Sequence, residues 1–220
     1  MSVVVLESQR KTIDYVLSPL SRRLIKVHPD FFTWSSVIFA FAAGYLFFLS
    51  TPENEVTTYF LFGAAFCVFI NGLFDALDGK IAKMTNTASP RGDFLDHALD
   101  RYADVLIVGG LSLSAWCDLR LGLLAIAGML LTSYMGTQAQ AVGYGRDYGG
   151  YLGRADRLAL LIIAPVLQHI LLRLTVTLPL GFTLLEWILI YFAVMGNITA
   201  IQRFIRTLHW FKRMKNEGQP

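Results

Sequence analysis

Cysteine is scarce in this chain. Cys67 and Cys117 are far apart in the sequence, and neither has a histidine at metal-ligand spacing. Two such thiols supply neither a disulfide framework nor a zinc site, and they read as apolar side chains within or beside membrane helices. Charge is also scarce, at 16% of residues against about 25% in an ordinary soluble domain. With 55% hydrophobic residues and a mean hydropathy of +0.51, that shortage argues against a single soluble core. A cleavable leader is not expected either. "MSVVVLESQRKTIDYVL" places its charges after a very short apolar run and lacks a small-residue cleavage site. The four histidines are dispersed. His28, His169 and His209 read as structural or interfacial, as does His97, which lies one helical step off the face of a nearby aspartate.

What the chain has in quantity is apolar runs. A helix needs about 20 apolar residues to cross the hydrocarbon core. Runs at 31–50, 58–77, 93–116, 119–142, 158–177 and 182–206 predict six spans. Before them, "TIDYVLSPLSRRLIKV" alternates polar and apolar residues. Tyr15, Val16, Leu20, Leu24 and Val27 could share one face, with Arg22, Arg23 and Lys26 near the headgroups. This predicts an interfacial helix bent at Pro19, with a mobile basic tail as the alternative. The fold expected is therefore an all-α integral membrane protein: an N-terminal interfacial helix at 1–30, a six-helix domain at 31–210 and a basic cytoplasmic tail at 211–220.

Basic residues give the orientation. Arg10, Lys11, Arg22, Arg23 and Lys26 precede the first run, and Lys80, Lys83 and Arg91 follow the second. Arg146, Arg154 and Arg157 follow the fourth, and Arg206, Lys212, Arg213 and Lys215 follow the last. The alternate connections "STPENEV", "WCDLR" and "TVTLPLG" hold only Arg120 among them. Both termini and the polar site are expected on the cytoplasmic side of the cell membrane.

Against this background, "FDALDGKIAKMTNTASPRGDFLDHALDR" collects five aspartates. Asp75 and Asp78 are spaced i,i+3, and Asp96 and Asp100 i,i+4, so each pair projects from one helix face. "NTASPRG" between them can reverse the chain and bring the faces together. Four converging carboxylates repel one another, and an aspartate at bilayer depth costs about 2.5–3.5 kcal/mol. Divalent cations relieve both problems, and hard oxygen ligands suit Mg2+ or Mn2+. Two ions could clamp a phosphate group. Solvated loop acids paired with Lys80, Lys83 or Arg91 are the blander alternative. Asp93 either lines the cavity or is solvated. Gly79 would let a bulky ligand approach the backbone closely, or serves helix packing.

These residues resemble the signature of the CDP-alcohol phosphotransferases of phospholipid synthesis, D-x2-D-G-x2-A-R-x8-G-x3-D-x3-D. Here it reads Asp75, Asp78, Gly79, Ala82, Lys83, Gly92, Asp96 and Asp100 with every spacing kept. The departure is Lys83 for arginine, which keeps the charge and loses the planar fork. The resemblance implies a homodimer of six-helix chains with a cytoplasm-facing polar cavity. It implies transfer of a phosphatidyl-type group from a CDP-linked lipid to a soluble polar alcohol, with CMP released. Asp75, Asp78 and Asp96 are then metal ligands, and Asp100 is a shared ligand and the general base. Gly79, Lys83 and Ser89 resemble nucleotide contacts. Asp30 and Thr33 in "HPDFFT" resemble the family's "PN-x-x-T", with Asp30 in place of asparagine; both also read as a helix N-cap.

Arg154, Arg157 and Arg203 form the best candidate pocket for an acceptor phosphate. Arg203 lies in the apolar "NITAIQRFI", where an arginine either faces a polar cavity or snorkels to the headgroups. "GGYLGRADR" resembles the "GG…ER…ER" segment of the family branch that uses an inositol phosphate. In that branch a basic residue is expected near position 136, which is Gly136 here, and the "KARAE"-like run reads "GTQAQ". "FLDHALDRYAD" resembles archaeal members, which implies CDP-archaeol as donor. Glycerol 3-phosphate or serine is the alternative acceptor. A divalent-cation transporter and a calcium-dependent scaffold are the non-enzyme alternatives, and no nucleic-acid partner is expected.

Overall fold

A computed structural model describes residues 10–145, 147 and 149–216. Arg146 and the outer ends of the 1–30 and 211–220 segments lie outside the described residues. All regular structure among the described residues is helical: α1 Arg10–Arg23, α2 Pro29–Leu49, α3 Glu55–Thr58, α4 Phe60–Met84, α5 Pro90–Ser112, α6 Leu119–Ala141, α7 Arg154–Arg173 and α8 Leu184–Asn216.

Among the described residues, five helical stretches are long and apolar enough to cross a membrane: Pro29–Leu49, Glu55–Met84, Leu119–Ala141, Arg154–Arg173 and Leu184–Asn216. The chain is thus an integral membrane protein by the character of its helices. The expected span at 93–116 falls on α5, which is not among these five. Its first four turns carry Arg91, Asp93, Asp96, Asp100, Arg101 and Asp104, while Ile107, Val108 and Leu111 toward its end are buried in the core.

The outward face of α2 shows why these helices suit lipid. Phe31, Trp34, Ile38, Phe41, Tyr45 and Phe48 recur at three- or four-residue intervals and are all exposed. The opposite face carries Phe32, Ser36, Ala40, Ala43 and Phe47, which are buried. There α2 packs on α4 and α5, α4 on α7, and α6 on α8. Two contacts are close because glycine lines them. A Cβ on Gly110 would lie 2.1 Å from the Gly44 carbonyl oxygen, and one on Gly196 would lie 2.9 Å from Gly128.

The capping chemistry decides where the polar end sits. His28 caps α2, its Nδ1 accepting the Asp30 amide at 3.2 Å, and Pro29 occupies the first turn. Ser89 caps α5 by accepting the Gly92 amide at 3.2 Å, with Pro90 following. Both helix starts face the C-terminal end of α4. At the other end of the bundle, buried Trp116 donates from Nε1 to Ser50 Oγ at 2.8 Å, and its carbonyl accepts from Thr183 Oγ1 at 2.9 Å. Cys67 and Cys117 are unpaired, as expected. In the turn between α5 and α6, burial and the neighbouring Glu186 push the Cys117 thiol pKa up.

The N-terminal helix keeps Pro19 inside it but presents a different face from the one expected. Leu17 and Ser21 are buried, and Leu24 and Val27 pack beside Leu77 and Ile81 of α4, while Tyr15 is 83% exposed and Leu20 is also exposed. Packing against α4, rather than the alternation of the sequence, sets that face.

Candidate active site

A cavity of about 400 Å³ opens where the starts of α2 and α5 meet the end of α4. Its walls include Asp30, Thr33, Gly79, Lys83 and Ser89, so every nucleotide contact expected from the sequence lies on one cavity. A Cβ on Gly79 would meet nothing within 4 Å, which leaves the α4 backbone open to a ligand there. Asp30 accepts from Arg91 Nη1 at 2.9 Å, tying the first turn of α2 to that of α5 across the cavity.

Asp78 and Asp96 line the same cavity. Asp78 is buried, and its Oδ2 accepts from Thr33 Oγ1 at 2.7 Å, so the polar residue at the start of α2 orients a carboxylate of α4. Asp75 of α4 reaches Asp96 and Asp100 of α5 through its side chain. The two helix pairs predicted from spacing therefore converge. Ligand atoms of Asp96, His97 and Asp100 lie within 4.8 Å of one another. His97 contributes more than its sequence position suggested: Nε2 is 3.1 Å from Asp93 and Nδ1 is 3.6 Å from Asp96, and both His97 and Asp93 line the cavity.

The donor set fits divalent cations. Asp96 and Asp100 bring hard carboxylate oxygens together with His97, and Asp75 and Asp78 of α4 stand near them, the chemistry that suits Mg2+ or Mn2+. Sulfur ligands are absent from the cluster.

Behind the carboxylates lies a buried cationic layer. Arg154, at the start of α7, places Nη1 2.6 Å from Asp75 Oδ2 and Nη2 2.7 Å from Asp100 Oδ1. Arg157 reaches Asp104 Oδ2 at 3.1 Å, and its Nε and Nη1 are buried without a hydrogen-bond partner. Such unpaired guanidinium donors are costly and suit an anion. Arg203 sits apart from these two. It donates from Nε to the Gly149 carbonyl at 3.0 Å and from Nη1 to the Thr132 carbonyl at 2.7 Å, fastening the loop before α7 to α6 and α8.

Gly136 follows from that position. A Cβ there would lie 2.9 Å from Arg203 Nη1, so the arginine on α8 fills the space in front of it. Sequence reasoning passed over Asp104 and Arg101, and placed Arg91 at the site only as a partner for the nearby acids, whereas it pairs with Asp30. The i+4 step from Asp100 to Asp104 was the available signal for the first, because it extends the Asp96–Asp100 face by one turn.

A model of the CDP-alcohol phosphatidyltransferase family matches residues 26–199, which takes in the cavity, all four signature aspartates, Arg154 and Arg157. The chain belongs to that family. It is a transferase of phospholipid biosynthesis. The archaetidylinositol phosphate synthase of Methanothermobacter thermautotrophicus is 29% identical over 202 residues, covering 89% of this chain and 90% of its own. The phosphatidylinositol phosphate synthase of Cutibacterium acnes is 27% identical over 207 residues, covering 86% of this chain and 91% of its own. Among solved structures, the Mycobacterium tuberculosis phosphatidylinositol phosphate synthase with CDP-DAG bound is similar in fold, with a TM-score of 0.68. That structure is 24% identical and covers 88% of this chain and 94% of its own. The same mycobacterial enzyme in complex with manganese and citrate has a TM-score of 0.65 at 27% identity, covering 86% and 88%. The family depends on divalent cations, in keeping with the carboxylate donor set found here.

Proposed function

We propose that this transferase moves the phospholipid group of a CDP-linked lipid, CDP-archaeol, to an inositol phosphate and releases CMP. The observation that carries this reading is the ordering of chemistry along one line. Asp78 and Asp96 line a cavity with nucleotide-type contacts, Asp75 and Asp100 pair with Arg154, and Arg157 pairs with Asp104 one turn beyond. A donor with its cytidine in the cavity sets its pyrophosphate against the acids. An acceptor phosphate then meets buried guanidinium groups on the far side.

Asp75, Asp78, Asp96 and Asp100 would hold two divalent cations, which when bound supply positive charge to the phosphate oxygens. The remaining steps use this chain's own groups. Lys83 and the open backbone at Gly79 position the donor. Asp100 accepts the proton of the acceptor hydroxyl. That oxygen forms a bond to the lipid-side phosphorus, and the bond from this phosphorus to the CMP oxygen breaks, its electron pair leaving with CMP. Arg154 and Arg157 orient the acceptor through its phosphate. Arg203 supports that pocket by holding the 149–150 loop.

The similarity to inositol phosphate-using synthases over most of the chain supports this acceptor, and the archaeal relative supports the archaeol donor. A transport pathway fits less well. Between the cavity and the opposite end the bundle is filled by Phe47, Leu61, Val68, Ile107, Leu111 and Met129, all fully buried. We read the cavity as facing the cytoplasm, and the chain as a homodimer of six-span subunits.

CMP release by purified protein with Mg2+ tests the reading. Donors are CDP-archaeol and CDP-diacylglycerol; acceptors are inositol 1-phosphate of both hands, glycerol 3-phosphate, serine and free inositol. Release that depends on an inositol phosphate is expected. Release with glycerol 3-phosphate or serine instead would keep the reaction and discard this acceptor. Chelation of divalent cations should abolish release, and added Mg2+ or Mn2+ should restore it.

A further inference from the structure

Asp104 stands one turn beyond Asp100 on α5 and is buried, with 5% of its surface exposed. It lies outside the signature, yet three arginines converge on it. Arg157 Nη2 and Arg101 Nη1 each lie 3.1 Å from Oδ2, and Arg154 Nε lies 3.8 Å from Oδ1. Arg101 also hydrogen-bonds Ser133 of α6, so the carboxylate is fixed from two sides.

Arg154 is shared among three acids. Its two Nη groups hold Asp75 and Asp100, while its Nε is buried without a hydrogen-bond partner and faces Asp104. Arg154 holds one oxygen each of Asp75 and Asp100 and sets a positive charge beside both, so it opposes a cation there. The Arg154 side chain is only 18% exposed, so a displaced guanidinium needs a counter-charge inside the bundle. Asp104 provides one. A shift of about 0.9 Å toward Oδ1 brings Nε to ordinary hydrogen-bond distance and satisfies its unpaired donor.

We propose that Asp104 is a positioning residue that draws Arg154 off Asp75 and Asp100 and thereby sets the divalent-cation affinity of the active site. The proposal rests on the reading of Asp75 and Asp100 as metal ligands. It makes Arg154 a gate between the metal and acceptor halves of the site: released by the cation, it turns its charge to the side from which an acceptor phosphate arrives.

Mn2+ binding to the purified full-length protein, measured by calorimetry without donor or acceptor, tests it. Asp104→Asn should weaken Mn2+ binding about tenfold, equivalent to about 1.4 kcal/mol, because Arg154 then closes on Asp75 and Asp100. Arg154→Gln should tighten binding by a similar factor. The double variant should match Arg154→Gln, since Asp104 acts through Arg154. Wild-type affinity in Asp104→Asn, or a double variant as weak as Asp104→Asn alone, would overturn the proposal. If Asp104→Asn fails to fold, Arg154→Gln still decides: unchanged Mn2+ affinity there removes the competition on which the proposal depends. A wild-type protein that binds no Mn2+ would overturn the metal-site reading and this inference together. Normal wild-type binding with unresponsive variants overturns this inference alone.

Discussion

Thr33 reads, by its place in the sequence, as a nucleotide contact or part of a helix cap. Its hydroxyl instead donates to Asp78 at 2.7 Å, across 45 residues of chain. Thr33→Val keeps the shape and removes the donor, leaving a buried carboxylate short of a partner. A loss of roughly 10- to 150-fold in kcat/KM for the CDP-lipid is expected, from the about 1.5–3 kcal/mol typical of hydrogen bonds to charged groups; unchanged kinetics would show that Asp78 needs no such support. Asp100→Asn bears on the chemistry itself. With the proton acceptor removed, CMP release should fall by at least about 10²–10⁴-fold, while the melting temperature in detergent stays near that of the wild type. Normal turnover in that variant would sink the general-base assignment.

Helix pairing sets the site at the next scale. α2 brings Thr33, α4 brings Asp75 and Asp78, and α5 brings Asp96 and Asp100, so the spacing of these three helices decides whether the carboxylates converge. Gly110 and Gly44 allow α5 and α2 to touch at the backbone. Gly110→Ala puts a methyl 2.1 Å from the Gly44 carbonyl oxygen, and overpacking of this kind costs about 1–3 kcal/mol. Thermal unfolding in detergent should show a clear drop. Gly109→Ala is the matched control, because a Cβ there meets nothing within 4 Å, and it should be neutral or slightly stabilising. An equal loss in both would mean that helix conformation, not the α2–α5 approach, governs the effect. The helices themselves were legible: apolar runs at 31–50 and 119–142 became Pro29–Leu49 and Leu119–Ala141. The run at 58–77 became a longer helix ending at Met84, because the signature residues continue the helix past the apolar stretch. The face of the N-terminal helix was not legible. Its packed residues are chosen by Leu77 and Ile81 of α4, which no local pattern in 10–27 reveals.

For the whole molecule, the distribution of basic residues predicts sidedness, and the caps of α2 and α5 put the cavity at one end of the bundle. Cysteines placed in a Cys67→Ser, Cys117→Ser background can report that sidedness. Thr87 and Glu53 are both exposed, at opposite ends of α4 and its lead-in. Thr87→Cys should react with a membrane-impermeant maleimide only in inside-out vesicles, and Glu53→Cys only in right-side-out ones. The reverse pattern would place the active site outside the cell.

The sequence alone determined the apolar helices and the two carboxylate pairs, because both follow from periodicities within a single helix. It also carried the family signature, whose spacings hold from Asp75 to Asp100. Only the tertiary structure decided what the arginines do. Arg154 reaches Asp75 and Asp100, Arg157 reaches Asp104 across 53 residues, and Arg203 is taken up by backbone carbonyls in front of Gly136. The reason is physical. A buried guanidinium must find acceptors among whatever groups the packing of other helices brings within about 3 Å, and no spacing along its own helix specifies them.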